Sequence, residues 1–71
     1  MNGKLNIYFY NTSTTVDLTN ILVEKFQDGT MIHADGFVMN IPDVDVAAAE
    51  HTEDEDRYWL KNETKIVISW L

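Results

Sequence analysis

Seven carboxylates lie close together in the second half of this chain, with no lysine or arginine among them. They are Asp43, Asp45, Glu50, Glu53, Asp54, Glu55 and Asp56, and we call residues 43–56 (DVDVAAAEHTEDED) the acidic segment. Elsewhere acids and bases balance, so the formal net charge of −7 belongs to this segment. Carboxylates at this density could bind a metal ion, perform acid–base catalysis or contact a basic partner.

Metal binding is the first chemistry to consider. Asp43-Val44-Asp45 begins like a calcium-binding EF-hand loop, but Ala47 occupies the third ligand position and Ala48 the position of the required glycine. A looser site could be formed by His51 together with Glu53, Asp54 and Asp56. The spacing favours neither arrangement, and we expect no specific metal site and no cofactor.

Catalysis has little support in the sequence. There is no cysteine, and neither serine, Ser13 or Ser69, lies in a glycine-flanked elbow. Acid–base catalysis needs two carboxyls with different pKa values, whereas a crowded, solvated run offers nearly equivalent ones. We therefore expect a protein that is not an enzyme.

Composition limits the fold and the partners. A chain of 71 residues has room for one domain, residues 1–71, and 45% hydrophobic residues favour a folded core over disorder. The absence of cysteine and of an apolar leader is typical of a cytoplasmic protein. Five scattered bases are too few for nucleic acid or an anionic membrane. A basic protein surface remains as a partner.

The N-terminal residues alternate between apolar and polar types. Leu5, Ile7 and Phe9 share one face of a predicted strand, which leaves Tyr8 and Tyr10 on the other. A turn over residues 11–14 then predicts a hairpin. Because tyrosine is enriched at interfaces, Tyr8 and Tyr10 are candidate partner-binding residues, although packing against the rest of the chain would also explain them.

Turn signals divide the remainder into short strands. Asp28-Gly29 and Asp35-Gly36 predict tight turns that use a positive φ at glycine, and Pro42 ends the following strand. Residues 57–61 and 65–71 form a second hairpin of aromatic and β-branched residues. Together these strand and turn patterns predict an all-β or β-rich α+β fold. It would be a small antiparallel meander of six to seven strands that curls into a barrel or sandwich.

The acidic segment itself admits three structures. As a strand, it would turn Val44, Val46 and Ala48 inward; as a helix, it would be capped by Asp43. A short helical turn after Pro42 followed by a strand is the third. The sequence favours a strand or a short turn over a helix and leaves the choice between them open.

The order of strands and turns is also similar to that of a known group of small proteins. The stretches LNIYFYNTSTTVDLTNI and GTMIHADGFVMNIPDVDVAAAEH, within residues 5–51, combine hairpin, turn, hairpin and a proline-marked stop. At this level the chain resembles small β-meander proteins encoded by phages and mobile elements of Gram-positive bacteria. The resemblance implies a stand-alone accessory protein that inhibits a host system, and it does not extend to residues 57–71.

The sequence therefore predicts a binding protein. Its acidic segment would contact a basic protein, and carboxylates spaced roughly 6.6 Å apart on one strand face could imitate nucleic-acid phosphates, as DNA mimics do. A solvated, solubilising loop is the competing explanation of the same charges. The alternative function is a structural subunit that assembles as a homo-oligomer through edge strands, such as residues 66–71, and exposed aromatic side chains.

Overall fold

The computed structural model describes all residues, 1–71, and its regular elements are strands apart from one short turn. Eight strands follow one another along the chain: β1 (Gly3–Phe9), β2 (Thr12–Leu18), β3 (Leu22–Lys25), β4 (Gly29–Ala34), β5 (Phe37–Pro42), β6 (Val46–His51), β7 (Glu55–Leu60) and β8 (Thr64–Trp70). One short 3-10 turn, Asp43–Asp45, separates β5 from β6. The predicted all-β class is confirmed, with eight strands in place of six to seven because residues 22–25 and 46–51 both pair.

The strands form two antiparallel sheets. A five-stranded sheet has the order β2-β1-β8-β7-β6, and a three-stranded sheet has the order β3-β4-β5. Strand β8 pairs with both β1 and β7, so the expectation that residues 66–71 offer a free edge is wrong. The long sheet instead ends in β2 on one side and in β6 on the other.

The core lies between the two sheets. Because side chains alternate across a strand, every second residue of the central strands points inward. The buried cluster consists of Leu5, Leu18, Ile21, Ile32, Ile41, Tyr58, Ile66 and Ile68. Burial of this apolar surface is the main favourable term for so short a chain.

The first hairpin turns earlier than the sequence suggested. Strand β1 ends at Phe9, and Tyr10 with Asn11 forms the two-residue loop, since Phe9 pairs with Thr12. Tyr10 therefore takes a positive φ of 54° and is not an outward-facing strand residue. Its ring contacts that of Phe9 edge-on, with 4.3 Å between the centroids.

The two predicted glycine turns differ from each other. Gly36 has a φ of 70° in the β4–β5 loop, as expected, but Gly29 has no positive φ and is the first residue of β4. A Cβ added at Gly29 would lie 2.9 Å from the carbonyl oxygen of Ile41. Glycine is needed there because the two backbones approach closely, and not for a turn.

The acidic segment adopts the third structure considered, a short helical turn after Pro42 followed by strand β6 and then β7. A β-bulge between Val46 and Ala48 shifts the register at the start of β6. No helix in the protein has the length and apolar composition needed to cross a membrane.

Candidate functional site

The fold distributes the seven carboxylates over several places. Asp43 and Asp45 lie in the 3-10 turn, Glu50 near the end of β6, and Glu53 with Asp54 in the turn between β6 and β7. The other two, Glu55 and Asp56, are consecutive residues of β7 and so point to opposite faces of the sheet. The evenly spaced row of carboxylates on one strand face, which phosphate mimicry would require, is not formed.

Asp43 closes one end of the segment through an ion pair with Lys25. The distance from Lys25 Nζ to Asp43 Oδ2 is 2.8 Å, and the same ammonium donates to the carbonyl oxygen of Phe26 at 2.7 Å. Both side chains remain about half exposed, at 61% for Lys25 and 47% for Asp43. The pair links the 3-10 turn to the end of β3.

Asp56 is held by two partners at the opposite end of the segment. Its Oδ1 lies 2.7 Å from Nδ1 of His51, and the indole Nε1 of Trp70 donates to its Oδ2 at 2.9 Å. His51 and Asp56 are directly opposed in the β6–β7 register, which explains their contact. Trp70 thus fixes the carboxylate, and the carboxylate orients the imidazole.

Glu55 faces the other side of the sheet and is bound by Arg57. Its Oε1 accepts hydrogen bonds from Nε of Arg57 at 2.9 Å and from Nη2, while Oε2 accepts one from the Ser69 hydroxyl at 3.3 Å. The Arg57 hydrogen bond is the main reason that the pKa of Glu55 falls below its usual 4.5, and it raises the pKa of Arg57 in turn. The carboxyls of the segment are therefore not equivalent.

The other acids of the segment form no ion pair: they are Asp45, Glu50, Glu53 and Asp54. All four are exposed, and Glu50 lies opposite Arg57 across the β6–β7 pair. Glu50 belongs to β6 and the other three lie beside its ends; this strand pairs only with β7, and its residues are exposed apart from Val46. Uncompensated negative charge is thus concentrated around one open sheet edge.

A cleft of about 330 Å³ lies between the β3–β4 side of the small sheet and the β6–β7 side of the large one. The residues that line it are Val23, Lys25, Thr30, Asp43, Val46, Ala49, His51, Asp56 and Tyr58. It contains the Lys25–Asp43 ion pair and the His51–Asp56 contact, with aliphatic side chains between them. The acidic segment therefore supplies one wall of a cleft as well as an exposed edge.

Tyr58 and Thr30 are the least exposed side chains of this cleft, at 5% and 7%. Burial raises the pKa of Tyr58 above its usual 10.0, and the nearby charge of Asp56 adds to the effect. The phenol is accordingly protonated at neutral pH and available as a hydrogen-bond donor.

No known protein family, curated protein or solved structure matches this chain. The structure brings together no group of three or more His, Asp or Glu side chains suited to hold a metal ion.

Of the two tyrosines proposed as contacts, only Tyr8 lies on the outer face of the large sheet. It is opposite Lys65, which is in turn opposite Trp59. The ammonium of Lys65 lies 5.9 Å from the centroid of the Tyr8 ring and 5.4 Å from that of Trp59. Cation–π contacts of this kind stabilise the outer face of the large sheet through contacts within the protein.

Sequence reasoning missed several residues of the site, namely Lys25, His51 as a partner of Asp56, Thr30 and Tyr58. Lys25 and Thr30 lie far from the acidic segment in sequence, and no local pattern connects them with it. The His51–Asp56 contact could have been found from the hairpin register, because a turn over residues 52–55 places the two opposite each other.

Proposed function

We propose that this protein is a non-enzymatic binding protein that takes up an extended, basic segment of another protein along the open edge of β6. Its acidic segment supplies both the edge and the charge. The observation that carries the proposal is that the unpaired acids flank the one strand of the segment that has a free edge.

The edge is suited to addition of a strand. An extended peptide that joins a sheet edge gains main-chain hydrogen bonds, and its alternate side chains reach the two faces. Most of β6 consists of alanine and exposed positions, VAAAEH, so no large side chain obstructs the backbone. Regular pairing is available beyond the bulge at Val46–Ala48.

Charge would select the partner. Asp45 lies before β6, whereas Glu50, Glu53 and Asp54 lie at its far end, so a bound strand would meet carboxylates at both ends. Lysine or arginine in the peptide complements these acids, and the net charge of −7 would steer a basic partner toward the protein. Such binding weakens as salt is added.

Charged residues at a sheet edge also have a protective role, since they discourage the edges of two molecules from pairing. In that case the acids would repel other edges and bind nothing. Under the proposed function a basic strand pairs with β6, whereas under the protective role no strand does.

The biological role within this proposal is that of an inhibitor or accessory protein that occupies a basic surface of its target. The strand-level resemblance to small phage and mobile-element proteins supports that role, and the lack of cysteine supports a cytoplasmic setting. Assembly into a homo-oligomer stays a prediction, for which β2 and β6 are the available edges of the large sheet. Sedimentation of the protein alone at micromolar concentration tests it, and a clean monomer would contradict it.

The test uses a ten-residue peptide of alternating lysine and valine and compares two triple variants. In the first, Glu50→Gln, Glu53→Gln and Asp54→Asn remove charge beside β6. In the matched control, Asp17→Asn, Asp28→Asn and Glu63→Gln remove the same charge from exposed acids elsewhere. We expect the first to weaken binding about tenfold, since exposed charge pairs contribute about 0.5 kcal/mol each, and the control to weaken it far less.

Edge pairing is tested with two versions of the same peptide, each methylated on every second backbone nitrogen. One version carries the methyl groups on the odd-numbered residues and the other on the even-numbered residues. Methylation keeps the charge and removes main-chain donors, so one version should abolish binding while the other retains it. NMR shifts should map to β6 amides. Equal binding by both methylated peptides, or equal loss in both triple variants, would show that the contact is only general charge attraction and would overturn the proposal.

A further inference from the structure

Two nearly buried residues that carry hydroxyl groups, Tyr58 and Thr30, line the same cleft, and neither hydroxyl has a partner in the chain. Tyr58 is 5% exposed and Thr30 is 7% exposed, and both lie against the cleft between the sheets. Neither hydroxyl forms a hydrogen bond with another group of the protein; among the exposed threonines, Thr12, Thr15 and Thr19 donate one each and Thr14 donates none. The hydroxyls of these two residues are therefore left for solvent or a ligand to pair with.

The two hydroxyl oxygens are not sealed inside the protein. The one fully buried side-chain nitrogen or oxygen without a hydrogen bond is Nε2 of His33, which lies 3.4 Å from Oε1 of Glu24 on another part of the small sheet. The hydroxyls of Tyr58 and Thr30 therefore keep an opening, and the cleft is the opening that both residues share. A ligand in the cleft would find two hydrogen-bonding groups already in place.

The charged groups of the cleft already have partners. Lys25 Nζ lies 2.8 Å from Asp43 Oδ2, and the Asp56 carboxylate contacts His51 at 2.7 Å and accepts from Trp70 at 2.9 Å, so a charged ligand would have to compete with existing contacts. A neutral ligand meets no such penalty. The second ring nitrogen of His51, Nε2, has no partner in the chain and adds a third hydrogen-bonding group.

The walls between these polar groups are aliphatic. Val23 comes from one sheet, and Val46 with Ala49 from the other. A volume of about 330 Å³ is at the lower end of the range for small-molecule sites, which are mainly apolar with a few placed polar groups. The occupant must therefore be small, with an apolar body and a hydrogen-bonding edge.

We infer that the cleft between the two sheets binds a small neutral heterocycle of the nucleobase or nucleoside type, through the hydroxyls of Tyr58 and Thr30. The ligand would contact side chains of β6, whereas the peptide of the proposed function adds to the edge of that strand, so this site does not require a peptide partner. The apolar ring lies against Val23, Val46 and Ala49, and its ring nitrogens and carbonyls meet the two hydroxyls.

The test is NMR titration of the intact protein with adenosine and with uridine. We expect shifts of the amides of Val23, Thr30, Ala49 and Tyr58 and a weakening of about three- to tenfold in Tyr58→Phe and in Thr30→Val, because each removes one hydrogen bond. Tyr8→Phe, which removes an exposed hydroxyl, is the matched control and should bind like the wild type. The thermal midpoint of Tyr58→Phe should equal or exceed that of the wild type, because no internal hydrogen bond is lost.

Three results would overturn the inference. The first is the absence of cleft shifts up to the solubility limit of both nucleosides. The second is unchanged affinity in Tyr58→Phe and Thr30→Val. The third is that the lysine–valine peptide perturbs the cleft and the nucleosides do not, which would make the cleft part of the peptide site. Nucleoside binding that survives in the Glu50, Glu53 and Asp54 triple variant would separate this site from the proposed function.

Discussion

Three residues other than glycine hold a left-handed backbone conformation in the loops. Tyr10, Asn20 and Glu63 have φ values of 54°, 55° and 68°. Asparagine tolerates this region well, but for tyrosine and glutamate it costs about 1 kcal/mol relative to glycine. Glu63 lies at the last position of the β7–β8 loop. The residues on either side of it are joined by a hydrogen bond from the Thr64 amide to Asn62 Oδ1 at 3.1 Å.

Replacement of that residue by glycine should stabilise the protein. In a three-residue hairpin loop the last position commonly takes the left-handed conformation, which glycine adopts without strain. We expect Glu63→Gly to raise the free energy of unfolding by about 1 kcal/mol in urea denaturation. Glu63→Ala is the control, because it removes the same charge and keeps the strain. An equal gain in both variants would show that charge, and not the backbone, is responsible.

At the scale of elements, β7 connects the acidic segment to the rest of the sheet. One face of this strand presents Glu55 and Arg57, and the other presents Asp56 and Tyr58. Each of these two carboxylates is tied to a neighbouring strand, Glu55 to Ser69 and Asp56 to both His51 and Trp70. Two of the seven carboxylates of the acidic segment are therefore fixed by hydrogen bonds to other strands.

The Glu55 contact predicts a specific response to acid. Because its folded-state pKa lies below the usual 4.5, ionised Glu55 stabilises the fold at neutral pH, and this contribution is lost as pH falls from about 4.5 through the folded-state pKa. The variant Glu55→Gln should thus be less stable at pH 7 and lose less stability on acidification. Equilibrium unfolding as a function of pH measures both effects. Glu53→Gln, in the exposed turn, is the matched charge control, and a wild-type slope in Glu55→Gln would contradict the assignment.

At the scale of the whole molecule, repulsion between negative charges acts against the stabilisation supplied by a small hydrophobic core. A formal charge of −7 on 71 residues is uneven, since the unpaired acids gather around β6. Like charges at this density repel one another and destabilise the compact state. A core of eight buried residues leaves a small margin against that repulsion.

Salt should therefore stabilise the protein. Raising sodium chloride from about 0.02 M to about 0.5 M shortens the screening length from about 20 Å to about 4 Å, so the thermal midpoint should rise. The Glu50, Glu53 and Asp54 triple variant should be more stable at low salt and less dependent on it. The triple variant at Asp17, Asp28 and Glu63 serves as the control. A midpoint that falls with salt would mean that the internal ion pairs outweigh the repulsion.

Local patterns determined most of the strands. The alternation of Leu5, Ile7 and Phe9 and that of Ile66 and Ile68 predicted β1 and β8, because a period of two matches the side-chain geometry of a strand. Pro42 marked the end of β5, where it stands in the structure. The sequence also determined where the net charge lies along the chain, because that depends only on the order of the residues.

Only the tertiary structure decided how those strands pair and what the acids contact. Whether β8 is central or at an edge depends on its pairing with β1, which lies at the other end of the chain and leaves no local signal. The partner of Asp43 is Lys25, and the cleft joins Thr30 of one sheet with Tyr58 of the other. Contacts between residues so far apart arise from the packing of two sheets, and so the acidic segment became an edge, a set of ion pairs and a cleft wall only when the chain folded.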